Sequence, residues 1–191
     1  MTEAAVCQTL CRHFADLLGY PGTTTRPTAA ACAALLRQEC PEAFTPFCGF
    51  VNFLDDHSGA RMEEIYTATF DLQPACHPYV GYQLCGESQK RTIFLMQLQA
   101  LYRRHNFAAG SELPDHLATL LRFIAEVAEP QCREELIRDG ILPALDNMLT
   151  QAESTDNPYI QLLHVVRMTL AQGVVVAPMA PAEPWREEVC S

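Results

Sequence analysis

The sequence has little positive charge. Its 191 residues include 13 Lys and Arg against 23 Asp and Glu, which gives a formal net charge of −10. Nucleic acids and anionic membrane surfaces are bound through Lys and Arg, so neither is expected as a partner. A cationic peptide is the kind of partner that an acidic surface attracts. Acidity that only keeps the protein soluble is the alternative interpretation.

Long hydrophobic runs are also absent. No apolar stretch reaches the length of a helix that crosses a bilayer. The first residues, "MTEAAVCQTLCRHF", lack the basic segment and the long apolar block of a secretion signal. We therefore expect a cytoplasmic protein with no direct insertion into a membrane. The hydrophobic fraction of 49% is enough for the core of one domain.

The motifs of common catalytic sites are missing as well. There is no glycine-rich phosphate loop, no G-x-S-x-G and no H-E-x-x-H. No Glu-x-x-His pair repeats on two helices, as a di-iron bundle requires. These absences predict a protein that is not an enzyme and that binds another molecule.

Cysteine is abundant, with nine residues, but no C-x-x-C occurs. Without a secretion signal, reduced thiols are expected, most of them buried as small hydrophobic side chains. Cys7 and Cys11 are four residues apart and share a helical face. The group Cys76, His77 and Cys85 leaves open a metal- or thiol-based sensor, although zinc needs about four ligands and no fourth is evident.

Apolar residues recur at helical spacing along almost the whole chain, which predicts an all-α fold. We expect a compact single-domain bundle of about seven to nine helices. Residues 1–172 form this helical domain, and the Pro-rich residues 173–191 form an extended or disordered tail. Ser58 is a plausible cap for a helix that ends near residue 70. Residues 71–86 contain two Pro and two Gly, which predicts a structured connection or a short helix.

The stretch "SELPDHLATLLRF" at 111–123 predicts a strongly amphipathic helix. Pro114 and Asp115 would lie in its first turn, with Asp115 on the face opposite the core and His116 at the edge of the apolar face. The three residues can be explained simply as a helix start. The predicted apolar stripe consists of Leu113, Leu117, Leu120, Leu121, Ile124 and Val127.

Four sequence blocks carry a family resemblance. They are "YTATFDL" at 66–72, "GESQKRTIFLMQLQALYRRHNF" at 86–107, "ELPDHL" at 112–117 and "NPYIQLLHVV" at 157–166. Together and in this order they resemble the blocks of redox-enzyme maturation chaperones of the TorD/NarJ type. The nitrate reductase assembly chaperone is the most similar kind, and a chaperone of a related membrane-associated or exported molybdoenzyme is an equal alternative. One departure is Thr92, which stands where the family commonly has Gly after the Lys-Arg pair.

This resemblance implies a non-catalytic, all-α chaperone for a molybdenum enzyme. Such a protein binds the N-terminal leader of the catalytic subunit of a molybdopterin oxidoreductase. It assists insertion of the molybdenum cofactor before membrane assembly or twin-arginine export. No cofactor would be bound permanently, although molybdopterin guanine dinucleotide could be contacted transiently through the client. The chaperone would be a monomer or a homodimer.

The resemblance also implies candidate site residues. An acid-rimmed apolar groove would suit a leader that carries Arg and an apolar helical face. Lys90 and Arg91 have three interpretations: solvated side chains, contacts to a cofactor phosphate, or members of a structural ion pair. A generic helical scaffold with no role in maturation is a further alternative for the whole protein. The candidates for binding the client peptide are Tyr66, Phe70, Asp71, Glu112, Asp115 and His116.

Overall fold

Helices form almost all of the fold in the computed structural model, which describes residues 2–71, 76–152 and 156–175. The side chains of residues 3, 174 and 175 are not described. The elements are α1 (Glu3–Leu17), α2 (Thr25–Glu39), α3 (Pro41–Asp56), α4 (Gly59–Phe70), α5 (Val80–Cys85), α6 (Gln89–Arg104), α7 (Leu117–Glu126), α8 (Pro130–Glu135), a π-helical segment (Leu136–Ile141), α9 (Leu142–Gln151) and α10 (Pro158–Val175).

The all-α prediction is confirmed. Because α8, the π-helical segment and α9 follow each other without a break, these elements make nine helical rods within the described residues. The only extended pairing there is a single antiparallel bridge between Tyr79 and His116. No helix in the described part of the chain is long and apolar enough to cross a membrane.

Local signals set several of the helix starts. Ser58 caps α4 as predicted, because its hydroxyl accepts a hydrogen bond from the backbone N–H of Arg61. The Pro- and Gly-containing stretch at 71–86 holds the short helix α5, while residues 72–75 lie outside the described residues. The last helix continues to Val175, beyond the predicted boundary at 172, and the rest of the predicted tail is not described.

The core is built around α1, which packs against α2, α7 and α10, while α3 packs against α2 and α10. Apolar side chains at helical spacing give the outer helices one buried face, whereas eight of the ten residues of α7 are buried. The largest completely buried aromatic side chains are Phe14, Phe47, Phe50, Phe123 and Tyr159.

The "NPY" block joins α10 to α4. The Asn157 side-chain oxygen accepts a hydrogen bond of 2.9 Å from the backbone N–H of Tyr159, and its amide donates one of 2.8 Å to Thr69 Oγ1. Tyr159 places its ring between Phe50, Tyr66 and Phe70, with centroids 5.4 to 5.6 Å away. This block therefore holds the two helices together through a cap and an aromatic cluster.

Candidate functional site

Asp115 is completely buried, which corrects the prediction that it lies on the face of a helix opposite the core. The helix α7 begins at Leu117, so Pro114 and Asp115 precede it. Residues 114–117 instead pair with residues 78–80. The Val80 N–H donates to the Asp115 carbonyl, and the Leu117 N–H donates to the Pro78 carbonyl, both at 2.8 Å. For the same reason Leu113, expected in the buried stripe, is 47% exposed.

Arg91 neutralises the buried carboxylate of Asp115. Its Nε donates to Oδ2 at 3.0 Å and its Nη2 to Oδ1 at 3.5 Å. The guanidinium also lies over the rings of Tyr79 and Tyr82, at 5.3 and 5.8 Å from their centroids. Of its three interpretations, the structural ion pair is the one the structure shows. Lys90 is exposed, and its contact with a cofactor phosphate stays a prediction.

A glycine makes room for this ion pair. A Cβ at Gly81 would lie 2.8 Å from Phe94 Cδ1 and 2.9 Å from Asp115 Oδ2. Both distances are shorter than a nonbonded carbon atom tolerates. Glycine at position 81 therefore allows α5 to lie this close to Phe94 and to the Asp115 carboxylate. The carbonyl of Pro114 accepts a further hydrogen bond of 2.7 Å from the Tyr102 hydroxyl. Residues 114–116, which we call the "PDH" segment, are thus held by contacts with α6 and with residues 78–80.

His116 is the N-cap of α7 and is buried rather than lying at an open edge. Its Nδ1 accepts a hydrogen bond of 3.2 Å from the backbone N–H of Ala118. The neutral ring must therefore carry its proton on Nε2. Its edge meets the ring of Tyr79, with centroids 5.4 Å apart. Burial lowers the pKa of His116, and Arg122 adds to this, while Glu112, Asp115 and Asp71 act in the opposite direction.

We expect His116 to make stability depend on pH. Below the ordinary His pKa of 6.5, the His116 ring takes up a proton in the unfolded chain but stays neutral in the folded chain, where its pKa is lower. The neutral ring therefore makes a contribution to the free energy of unfolding that is fully present above pH 6.5. This contribution is lost as the pH falls toward the lowered pKa of the folded chain, and its size is about 1.4 kcal/mol for each unit by which the pKa is lowered. Urea unfolding at pH 7.5 and 5.5 measures this loss.

His116→Asn is the matched variant for this measurement. Asn keeps an oxygen that caps α7 but does not titrate. The loss of free energy of unfolding between the two pH values should be smaller in the variant than in the unaltered protein. An identical loss in both would mean that other groups, such as His13, whose pKa burial also lowers, carry the whole effect.

Aromatic and acidic side chains meet on one face next to this segment. The rings of Tyr20 and Tyr66 are 5.4 Å apart, and those of Tyr66 and Phe70 are 5.1 Å apart. Tyr66 and Phe70 are buried and form the floor, whereas Tyr20 is 60% exposed. The Glu63 carboxylate accepts a hydrogen bond from the Tyr20 hydroxyl. We call this surface the acidic aromatic face; its members are Tyr20, Glu63, Tyr66, Phe70, Asp71, Tyr79, Glu112 and His116.

The carboxylates of this face raise the pKa of two of its tyrosine side chains. Burial raises the pKa of Tyr66 to about 12, and the charges of Asp71 and Glu112 act in the same direction. Burial, Glu112 and Asp71 also raise the pKa of Tyr79. Asp71 and Glu112 are exposed and belong to different parts of the chain. An arginine side chain placed here would contact both negative charge and aromatic rings.

The face combines residues that the sequence indicated with others that it did not. Five of the six predicted residues lie on it, and Asp115 lies beneath it in its ion pair with Arg91. Tyr20, Glu63 and Tyr79 were not predicted. Tyr20 sits in a Gly- and Pro-containing loop, and no local pattern connects that loop with residues far along the chain.

The Cys and His group offers no comparable site. Burial raises the pKa of Cys76 to about 12, so its thiol stays protonated near neutral pH. The ring of His77 packs on Tyr82, with centroids 4.4 Å apart. In residues 2–71, 76–152 and 156–175, no three side chains of His, Cys, Asp or Glu are placed to hold a metal ion.

A cavity of about 550 Å³ lies between α6 and the α8–π segment. Its floor is apolar, formed largely by Phe94, Leu98, Leu101 and Leu136, and charged side chains lie at its rim. It is a concave surface that a partner could reach. Among its lining residues there is no pair of exposed carboxylates beside aromatic rings in edge-to-face contact, which is the feature that marks the acidic aromatic face.

Comparisons with known proteins support one family. The family model described as nitrate reductase delta subunit matches residues 33–164. A solved structure described as a redox enzyme maturation protein from Archaeoglobus fulgidus is similar in fold, with a TM-score of 0.59 and 17% sequence identity. The similarity covers 86% of this chain and 93% of that one. No curated protein sequence matches the chain.

Proposed function

Because the chain belongs to the nitrate reductase delta subunit family, which is of the NarJ/TorD type, we propose that it is a maturation chaperone for a molybdenum enzyme. It binds the N-terminal segment of the enzyme's catalytic subunit. It keeps that subunit ready for insertion of the molybdenum cofactor, before the subunit joins a membrane complex or is exported. The chaperone acts in the cytoplasm and catalyses no reaction itself.

The acidic aromatic face is the observation that supports this proposal. Asp71 and Glu112 place two exposed carboxylates beside the rings of Tyr20 and Tyr66, which meet edge to face. A leader segment that carries Arg and an apolar helical face would put its guanidinium against the carboxylates and its apolar side chains against the rings. The net charge of −10 also favours encounter with a basic segment.

Asp115 and Arg91 serve this face by positioning it. Backbone hydrogen bonds hold residues 78–80 against residues 114–117, the segments that carry Tyr79 and His116. The ion pair joins Asp115 to α6, and the Arg91 guanidinium also lies over the Tyr79 ring. His116 offers its Nε2–H, for which no described residue provides an acceptor, to a carbonyl or carboxylate of the bound segment. Lys90, exposed at the start of α6, is the remaining candidate for a transient contact with a phosphate of the client's molybdopterin guanine dinucleotide.

Deletion of the gene from its source tests the function. We expect the client molybdoenzyme to accumulate with a lowered molybdenum content and lowered activity, both restored by the unaltered gene. The matched control is another molybdoenzyme of the same cell, whose molybdenum content should not change. Unchanged metal content in every molybdoenzyme would contradict the proposal and favour a helical scaffold without a role in maturation.

A further inference from the structure

The cavity between α6 and α8 lies outside the acidic aromatic face and has no part in the proposed function. Phe94, Leu98 and Leu101 of α6 form one wall, and Leu136 and Gly140 of the π-helical segment form the other. Its volume of about 550 Å³ is large enough for a large side chain together with its neighbours. Apolar surface of this kind is stabilised when another apolar group covers it.

A glycine keeps the cavity open. Gly140 is buried, yet a Cβ added to it would meet nothing within 4 Å among the described residues outside its own helical turn. The open space beside this buried residue is the cavity itself. The wall that carries Gly140 is π-helical, and π-helical turns are rare and occur frequently at functional sites.

The rim of the cavity carries charges of both signs. Glu129 and Glu135 lie on the α8 side, and Arg104 lies on the α6 side. The Glu129 carboxylate is 3.7 Å from the Arg104 guanidinium and 53% exposed, so it remains accessible to a further cation. A segment that suits this cavity therefore has a large apolar side chain with a cationic residue next to it.

The chain itself contains such a segment after α10, in residues 176–191, which lie outside the described residues. The stretch "VAPMAPAEPW" at 176–185 has a single charged residue, Glu183, and it ends on Trp185, the one Trp of the sequence. Arg186 follows directly. Three Pro at 178, 181 and 184 restrict the free segment and so reduce the entropy that it loses on docking.

The end of α10 brings this segment to the right part of the fold. Arg167 of α10 pairs with Asp146 of α9, and α10 also packs against the π-helical segment that precedes α9. Since residues 152–157 join the end of α9 to the start of α10, the two helices are antiparallel, and the last turns of α10 lie toward the π-helical segment.

The length of the segment is sufficient to reach the cavity. Trp185 is ten residues beyond Val175, the last residue of α10, and ten extended residues span up to about 33 Å. A helix with its side chains is only about 10 to 12 Å across. The segment can therefore pass around the π-helical segment and place Trp185 in the cavity on its other side.

We propose that residues 176–191 dock in the cavity between α6 and α8 of the same molecule. The Trp185 indole covers the apolar floor, and Arg186 lies against the carboxylates of Glu129 and Glu135. The chain thereby shields its own apolar cavity from other proteins, and the acidic aromatic face stays free for the client.

Acrylamide quenching of Trp fluorescence in the full chain tests this docking. Because Trp185 is the one Trp of the sequence, the signal reports this side chain alone. We expect quenching to be several-fold less efficient in the folded chain than in the chain unfolded in urea. Equal quenching in the two states would overturn the proposal. Protection that disappears on dilution would also overturn it, because a second copy would then supply the segment.

Gly140→Phe fills the cavity and should raise the quenching of Trp185 toward its value in urea. The fold should be retained, because the added Cβ has room and Gly is an unfavourable residue inside a helix. Gly59→Phe is the matched control, since a Cβ there also meets nothing within 4 Å and Gly59 does not line the cavity. Unchanged quenching in a folded Gly140→Phe variant would contradict docking at this place.

Arg186→Glu provides a second variant that leaves the described fold unaltered. It sets a negative charge against Glu129 and Glu135, so quenching of Trp185 should increase, and Glu135→Arg in the same chain should restore part of the protection. If Arg186→Glu left the quenching unchanged, the proposed position of the segment would be wrong. No client peptide is present in these measurements, so their outcome is independent of the proposed function.

Discussion

Replacing Arg91 with Ala is expected to lower the free energy of unfolding by about 3 kcal/mol or more. The change leaves the carboxylate of Asp115 completely buried without its cation. It also removes the guanidinium that lies over the rings of Tyr79 and Tyr82. Arg91 itself is 17% exposed, so water entering the gap would relieve part of the cost. Urea unfolding at pH 7 followed by circular dichroism measures the change.

Arg61→Ala is the matched control for this prediction. Arg61 pairs with Glu64 on the surface of α4, where the two side chains are 49% and 67% exposed. A surface pair of this kind contributes about 0 to 1 kcal/mol. The double variant Arg91→Met with Asp115→Asn removes both charges and should recover most of the lost stability. If Arg91→Ala cost no more than Arg61→Ala, the buried ion pair would not be what fixes the "PDH" segment.

The double variant Asp71→Asn with Glu112→Gln should bind the client's N-terminal peptide about tenfold more weakly than the unaltered protein. Each exposed carboxylate that pairs with a peptide cation contributes up to about 1 kcal/mol, and tenfold in affinity corresponds to about 1.4 kcal/mol. Both residues are exposed, so the fold should be unaffected. Titration calorimetry with the N-terminal peptide of a molybdoenzyme catalytic subunit from the same source measures this effect.

Glu39→Gln with Glu126→Gln makes the same change of net charge elsewhere. These residues are exposed at the C-terminal ends of α2 and α7, and Glu126 is at the opposite end of α7 from His116. We expect this control to change the affinity less than about twofold. Added salt should weaken binding by the unaltered protein more than binding by the Asp71 and Glu112 variant. Equal losses in the two double variants would mean that only overall charge matters.

The sequence predicts the helices well because their signals are local. Apolar spacing and a cap such as Ser58 operate within one or two turns. The start of α7 was misplaced because Pro114 and Asp115 also fit the first turn of a helix. What keeps them out of the helix is pairing with residues 78–80, and local spacing carries no sign of that contact.

The candidate site was predicted only in part, for a related reason. Tyr66, Phe70 and Asp71 belong to one block and could be found together. Tyr20 reaches them from a different loop, and its contact with Tyr66 joins residues far apart in sequence. The pairing of Asp115 with Arg91 could not be predicted from the sequence either, because the two residues are 24 positions apart. The apolar patterns of α6 and α7 do not show that the start of α6 lies next to the residues before α7.

Hydrogen exchange of the full chain, with and without the client's N-terminal peptide, tests the central claim most directly. The account predicts slower exchange in α4 and in residues 111–118, which carry the acidic aromatic face, and little change in α2. Protection confined to the cavity between α6 and α8, or no protection anywhere at saturating peptide, would contradict the claim that this face receives the client.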